Sequence, residues 1–134
     1  MGRIIHKAAG IIIRNKRLLV TRSADTDVFI APGGKFESGE RAHQALIREL
    51  KEELGIDVRE ESLKHFGVFR AAAAGEKDVT VVMDVFVVQA WEGEIAPHAE
   101  VAEIAWADSS TTHAMGSIFA HEVIPRLVAQ GAIT

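Results

Sequence analysis

A chain of 134 residues, 48% of them hydrophobic, is long enough to bury a real core as one domain. Cysteine is absent, which excludes disulfides, thiolate metal sites and a thiol nucleophile, and fits a reducing compartment. A formal net charge of −4 gives no basic footprint for a nucleic-acid polymer, so anionic phosphates would have to be met through divalent cations.

The opening MGRIIHKAAGIII holds an apolar run too short to span a bilayer. No small-residue cleavage site follows it, and His6 stands where a myristoylation signal wants Ser or Thr. These features predict a cytoplasmic protein with no membrane partner. Residues 8–14 and 18–21 are apolar runs separated by Arg14-Asn15-Lys16-Arg17, which predicts a hairpin. Residues 22–27 read as a loop. Val28-Phe29-Ile30 reads as a short strand, ended by Pro32-Gly33-Gly34. A helix is expected to open at Ser38, a good N-cap, and to close at Gly55, which takes the left-handed conformation easily. Along it, Leu46, Leu50 and Leu54 form an apolar stripe. Residues 63–72 and 79–89 read as two long strands joined by a flexible link at 73–77. Residues 91–98 form a loop, 101–107 a last strand and 117–130 a terminal helix. This order predicts an α/β fold, a single domain over residues 1–134 with helices packed on a mixed sheet.

The predicted helix carries an unusual concentration of acid. Glu49 and Glu53 are four apart and stand one above the other, with Glu52 beside them. Like charges at this spacing cost about 0.2–0.5 kcal/mol per pair. A run of glutamates on a helix is usually just a solvated face. Here, however, it is framed by glycines and an arginine in the pattern G-x5-E-x7-R-E-U-x-E-E-x-G-U, with U apolar. The positions are filled by Gly34, Glu40, Arg48, Glu49, Leu50, Glu52, Glu53, Gly55 and Ile56.

That pattern resembles the Nudix box, which defines the Nudix hydrolases. The resemblance implies a Nudix-like α/β/α sandwich with a mixed β-sheet. It also implies Mg2+-dependent hydrolysis of a nucleoside diphosphate linked to a further group X, with Mn2+ as a possible substitute. Glu49, Glu52 and Glu53 would hold the metal together with the Gly33 carbonyl, because hard cations prefer oxygen ligands. Glu49 and Glu53 are the leading pair for ligand and general base, and either can be the base. Arg48 would orient Glu49, and Glu40 would support the box from outside the metal shell.

Outside the box the chain is similar to the MutT-like nucleotide pyrophosphohydrolases of that family. Thr21-Arg22 before a polar loop, and Trp91-Glu92-Gly93-Glu94 after a long strand, have counterparts there. This implies Arg22 and Lys35 as substrate contacts and Glu94 as a further metal carboxylate, with Glu100 and Glu103 as rivals for that role. His121 falls where those enzymes use an asparagine to read the base, which implies broader base choice. The expected substrate is a (deoxy)nucleoside triphosphate, cleaved to monophosphate and pyrophosphate by a monomer or homodimer. ADP-ribose, dinucleoside polyphosphates and other diphosphates, including non-nucleotide ones, are alternatives. A Pro or Tyr found in some such enzymes is missing from residues 70–75, which favours a mononucleotide. A non-catalytic nucleotide-sensing module is the rival of another class, and the intact box carboxylates speak against it.

Overall fold

The computed structural model describes residues 2–73 and 76–134. Strand β1 (Arg3–Ile11) lies at the centre of a mixed sheet of order β4-β1-β6-β5. It pairs antiparallel with β4 (Gly33–Lys35) and parallel with β6 (Val79–Val88), while β5 (Leu63–Ala72) and β6 form an antiparallel pair. A second, antiparallel sheet has the order β2-β3-β7, from Ile13–Arg14, Arg17–Ser23 and Val101–Ala107. Among the described residues no helix is long and apolar enough to cross a membrane.

Side-chain alternation sorts the core onto two faces. Ala8, Leu19, Phe86 and Val88 look toward helix α1 (Ala42–Leu54) and meet Leu46, Leu50 and Leu54, all fully buried. Ala9, Ile11, Leu18, Val20 and Val85 look the other way, toward Phe119, Val123 and Leu127 of the C-terminal helix. The result is the α/β/α sandwich that the motif implied.

Several boundaries differ from the sequence expectation: β1 starts already at Arg3, and β3 runs on to Ser23, into the expected loop. Residues 28–30 are not a strand. They form only isolated bridges, Ile30 to Thr21 and Phe29 to Met115, and the strand that forms is Gly33–Lys35. Helix α1 begins at Ala42 rather than at Ser38. Gly39 takes a φ of 82°, and the Glu37 N–H donates to Glu40 Oε1 at 2.7 Å, so residues 37–40 close as a turn that cannot be helical. The Arg41 N–H then donates to the Gln44 side chain at 2.8 Å, and this starts the helix. Gly55, at φ 71°, closes it as expected, with its N–H donating to the Lys51 carbonyl.

The terminal helix is not uniform. Phe119–Val123 widens into a π-turn before α2 (Ile124–Ala129). Pro125 explains this: it has no N–H for the carbonyl four residues back, and its ring crowds that carbonyl. The hairpin turn is as read, with Asn15 and Lys16 at φ 53° and 58°. The expected flexible link at 73–77 lies partly outside the described residues.

The apolar stripe of α1 carries the packing. Leu50→Ala is expected to lower unfolding free energy by about 2–5 kcal/mol, as measured by urea denaturation. A loss below about 1 kcal/mol would contradict the packing described here.

Candidate active site

Gly33 and Gly34 bring a backbone against the acidic face of α1. A Cβ on Gly34 would lie 2.7 Å from Glu49 Oε2, and one on Gly33, at φ 144°, would lie 2.0 Å from the Ala8 carbonyl oxygen. Only glycine fits at Gly33, where the obstacle is backbone, while a side chain at Gly34 would displace the Glu49 carboxyl. The Gly33 N–H donates to Glu53 Oε1 at 3.0 Å, which ties strand to helix across 20 residues of sequence.

Arg48 organises the remaining acid. Its Nε and Nη2 donate to the two oxygens of Glu40 at 2.7 and 2.9 Å, a bidentate fork. Nη1 donates to Glu49 Oε1 at 2.6 Å, and Nη2 also reaches the Lys35 carbonyl at 3.1 Å. The arginine hydrogen bond, helped by the Glu37 N–H, holds the Glu40 carboxyl down at about 2. The paired carboxylates in turn hold the guanidinium well above its ordinary range.

Glu53 behaves in the opposite way. Burial first, and then the charges of Glu49 and Glu100, push its carboxyl up to about 8 against the opposing Gly33 N–H. Glu100 arrives on the loop after β6. That loop wraps the end of α1, where the Ala96 and His98 N–H groups donate to the Leu54 and Glu53 carbonyls at 3.2 and 2.9 Å. The otherwise orphaned carbonyls at the helix C-terminus therefore anchor the segment that delivers Glu100.

These groups line a cleft of about 390 Å3 that holds Thr21, Lys35, Arg48, Glu49, Glu53 and Glu100. Gly33 and Gly34 form its boundary with a second, mostly apolar cavity of about 230 Å3. The second cavity lies between the sheet and the start of the C-terminal helix, where Ala71, Met83, Ile118 and Phe119 form its walls.

The structure thus brings together Gly33, Lys35, Arg48, Glu49 and Glu53. It leaves others apart. Glu52 sits at the rim with its side chain 53% exposed and only a 3.4 Å contact to Arg48. Glu94 is exposed beyond the Gly93 turn and does not line the cleft; Glu100 takes that place. Arg22 turns away from the cleft and is held by Glu103 at 2.9 Å and by the Ser23 and Thr26 carbonyls. Glu103 is thereby engaged on the same outer side. His121 is exposed on the π-turn and lines neither cavity, whereas Ser117, Ile118 and Phe119 do line one. The Glu40 fork was not read from sequence, although its signal was present: the pattern holds an acid eight residues before the arginine.

The donor set fits a hard divalent cation. It consists of oxygen ligands only, and the Glu53 carboxyl is pushed toward its protonated form by burial and by neighbouring carboxylates whose repulsion a cation would relieve. Among the described residues no three such side chains are yet drawn around one point, as expected when like charges have only a proton between them.

The protein-family description "NUDIX domain" matches residues 4–127 of this chain. An 8-oxo-dGTP diphosphatase of Escherichia coli is 38% identical over 93 residues, 65% of this chain and 67% of that protein. An 8-oxo-dGTP diphosphatase of Proteus vulgaris is 33% identical over 96 residues, covering 68% and 81%. Among solved structures, the E. coli ORF135 protein superposes with a TM-score of 0.73 at 26% identity, over 98% of this chain and 91% of that one.

The raised Glu53 carboxyl sets a pH dependence. The folded state holds this proton more tightly than the unfolded chain does. Its contribution to stability is therefore fully present below the ordinary carboxylate pKa and is lost as pH rises through about 8. Thermal melts of the metal-free protein are expected to fall across that window, and millimolar Mg2+ is expected to flatten the fall. A metal-free protein with no such decline would rule out the buried, crowded carboxyl.

Proposed function

The chain belongs to the Nudix hydrolases, and from that premise we propose that it hydrolyses (deoxy)nucleoside triphosphates to monophosphate and pyrophosphate with Mg2+. Nudix hydrolases generally need a divalent metal. The observation that carries the substrate reading is the pair of adjoining cavities. An acidic, metal-ready cleft meets an apolar cavity at the Gly33–Gly34 turn, the arrangement that a diphosphate bearing a flat nucleobase requires. The named activity of the two 8-oxo-dGTP diphosphatases supports the same class. We take residues 1–134 as one such domain, working on free nucleotides in the cytoplasm.

Gly33, Glu49, Glu53 and Glu100 would hold the cation, with Glu52 as a further carboxylate at the rim. When bound, the metal neutralises phosphate charge and helps to ionise the attacking water. The protein's own groups supply the rest. Arg48 fixes the Glu49 carboxylate through the 2.6 Å bond and is itself locked by Glu40. Glu49, oriented by Arg48, is placed to accept the proton of the water, whereas burial favours the protonated form of Glu53. Lys35, on the cleft wall, presents its ammonium to a phosphate oxygen.

Glu49→Gln and Glu53→Gln are each expected to cut turnover at least about a hundredfold while cooperative melting persists. Near-normal turnover in either variant would refute the assignment. Chromatography of reactions with a nucleoside triphosphate should show monophosphate and pyrophosphate as first products. Orthophosphate appearing first would reject the mechanism, and cleavage of ADP-ribose alone would overturn the substrate class.

A further inference from the structure

The apolar cavity contains one charged side chain. Lys7 points into it from β1, on the same face as Ala9 and next to Met83 of β6. Ser117 is the other lining residue with a polar side chain. The three small residues 71–73 keep the opposite wall low, so the amine has room beside it.

Nothing in the fold neutralises Lys7. Among the described residues it takes part in no ion pair and donates no side-chain hydrogen bond. Its antiparallel neighbour across the ladder is Lys35, a second cation. Like charges directly opposed on a sheet destabilise it. Lys35 is exposed and does not line the apolar cavity, which leaves Lys7 as the one cation for whatever fills it.

An ammonium donates hydrogen bonds and accepts none. A ring that presents a carbonyl oxygen to it gains a charge-assisted bond, whereas a ring that presents an amino group leaves a desolvated ammonium facing a donor. We propose that Lys7 is a specificity-determining residue that selects nucleobases with a carbonyl edge over those with an amino group at the same place. This rests on the nucleotide reading above and names the substrate class within it.

The cleanest comparison is UTP against CTP, which differ at C4 by carbonyl versus amine. The wild type is expected to prefer UTP by roughly tenfold or more in kcat/KM, the scale of one charged hydrogen bond. Lys7→Met keeps side-chain length and removes the charge. It should abolish the preference by raising KM for UTP, with kcat changed less than about twofold. Lys7→Arg, which keeps the donor, should retain most of the preference. The same pair is then read without chemistry, by calorimetry of UMP and CMP in EDTA. Wild type should bind UMP more tightly, and Lys7→Met should bind the two alike. A wild type indifferent to the base, or a preference that survives Lys7→Met, overturns the proposal. If no triphosphate is cleaved while the UMP–CMP difference still depends on Lys7, the triphosphate reading has failed and the role of Lys7 stands.

Discussion

The close approach of the Gly33–Gly34 backbone to the acidic side of α1 is the constraint on which the rest of the site depends. Glu49 sits where a Cβ on Gly34 would be, and Glu53 receives the Gly33 N–H. This contact buries carboxylates that solvent would otherwise stabilise. Their charge must then be met by something, and the fold meets it unequally. Arg48 neutralises Glu40 and Glu49 through short, forked bonds, while Glu53 is left with one N–H and a proton. The cleft is thus prepared for one more positive charge and is not already satisfied by protein cations. A second arginine there would make it a stable ion-pair network with nothing left to bind.

The same imbalance orders the elements around it. The Leu46–Leu50–Leu54 stripe seats α1 on the sheet and fixes which face carries the glutamates. The helix C-terminus needs hydrogen-bond donors, and the loop that supplies them from Ala96 and His98 also carries Glu100 to Glu53. An ordinary capping requirement therefore places a functional side chain that is distant in sequence.

Where the chemistry depends on local pattern, the sequence was legible. The glycine–glutamate–arginine spacing marked the site, and 3.6-residue and two-residue periodicities marked α1, β5, β6 and β7. What it could not show was orientation set by tertiary partners. Residues 28–30 have strand composition but lack a continuous neighbour, so they stay as bridges. Ser38 is a good cap by type, yet Glu40 closes the turn before it can act. Glu94 and Glu100 are both loop acids, and only the docking of residues 96–98 on α1 separates them. His121 has helical spacing toward the cavity, but Pro125 widens that turn and leaves the histidine exposed. Arg22, expected at the start of a loop, lies within β3 and is captured by its cross-strand partner Glu103.

Strand β1 shows why register matters so much to the site. Ala8 stands opposite Gly34 and faces α1, whereas Lys7 and Ala9 face the C-terminal helix and the apolar cavity. Strand β1 thus lines only the apolar cavity, while its partner β4 carries the Gly33–Gly34 wall that both cavities share. A slip of one residue would send Lys7 into the core beneath α1 and place a different side chain against the glycine turn. The parallel pairing with β6 along all of β1, from Arg3↔Val79 to Ile11↔Val87, is what prevents it. The ladder is buried on both faces from Ala8 to Ile11, so a slip would mispack those side chains and bury the Lys7 charge. Hydrophobic patterning in the central strand therefore holds the two cavities at a fixed offset. On the proposed reading, that offset would let one ligand place a flat ring in the apolar cavity while its phosphates lie along the acidic cleft.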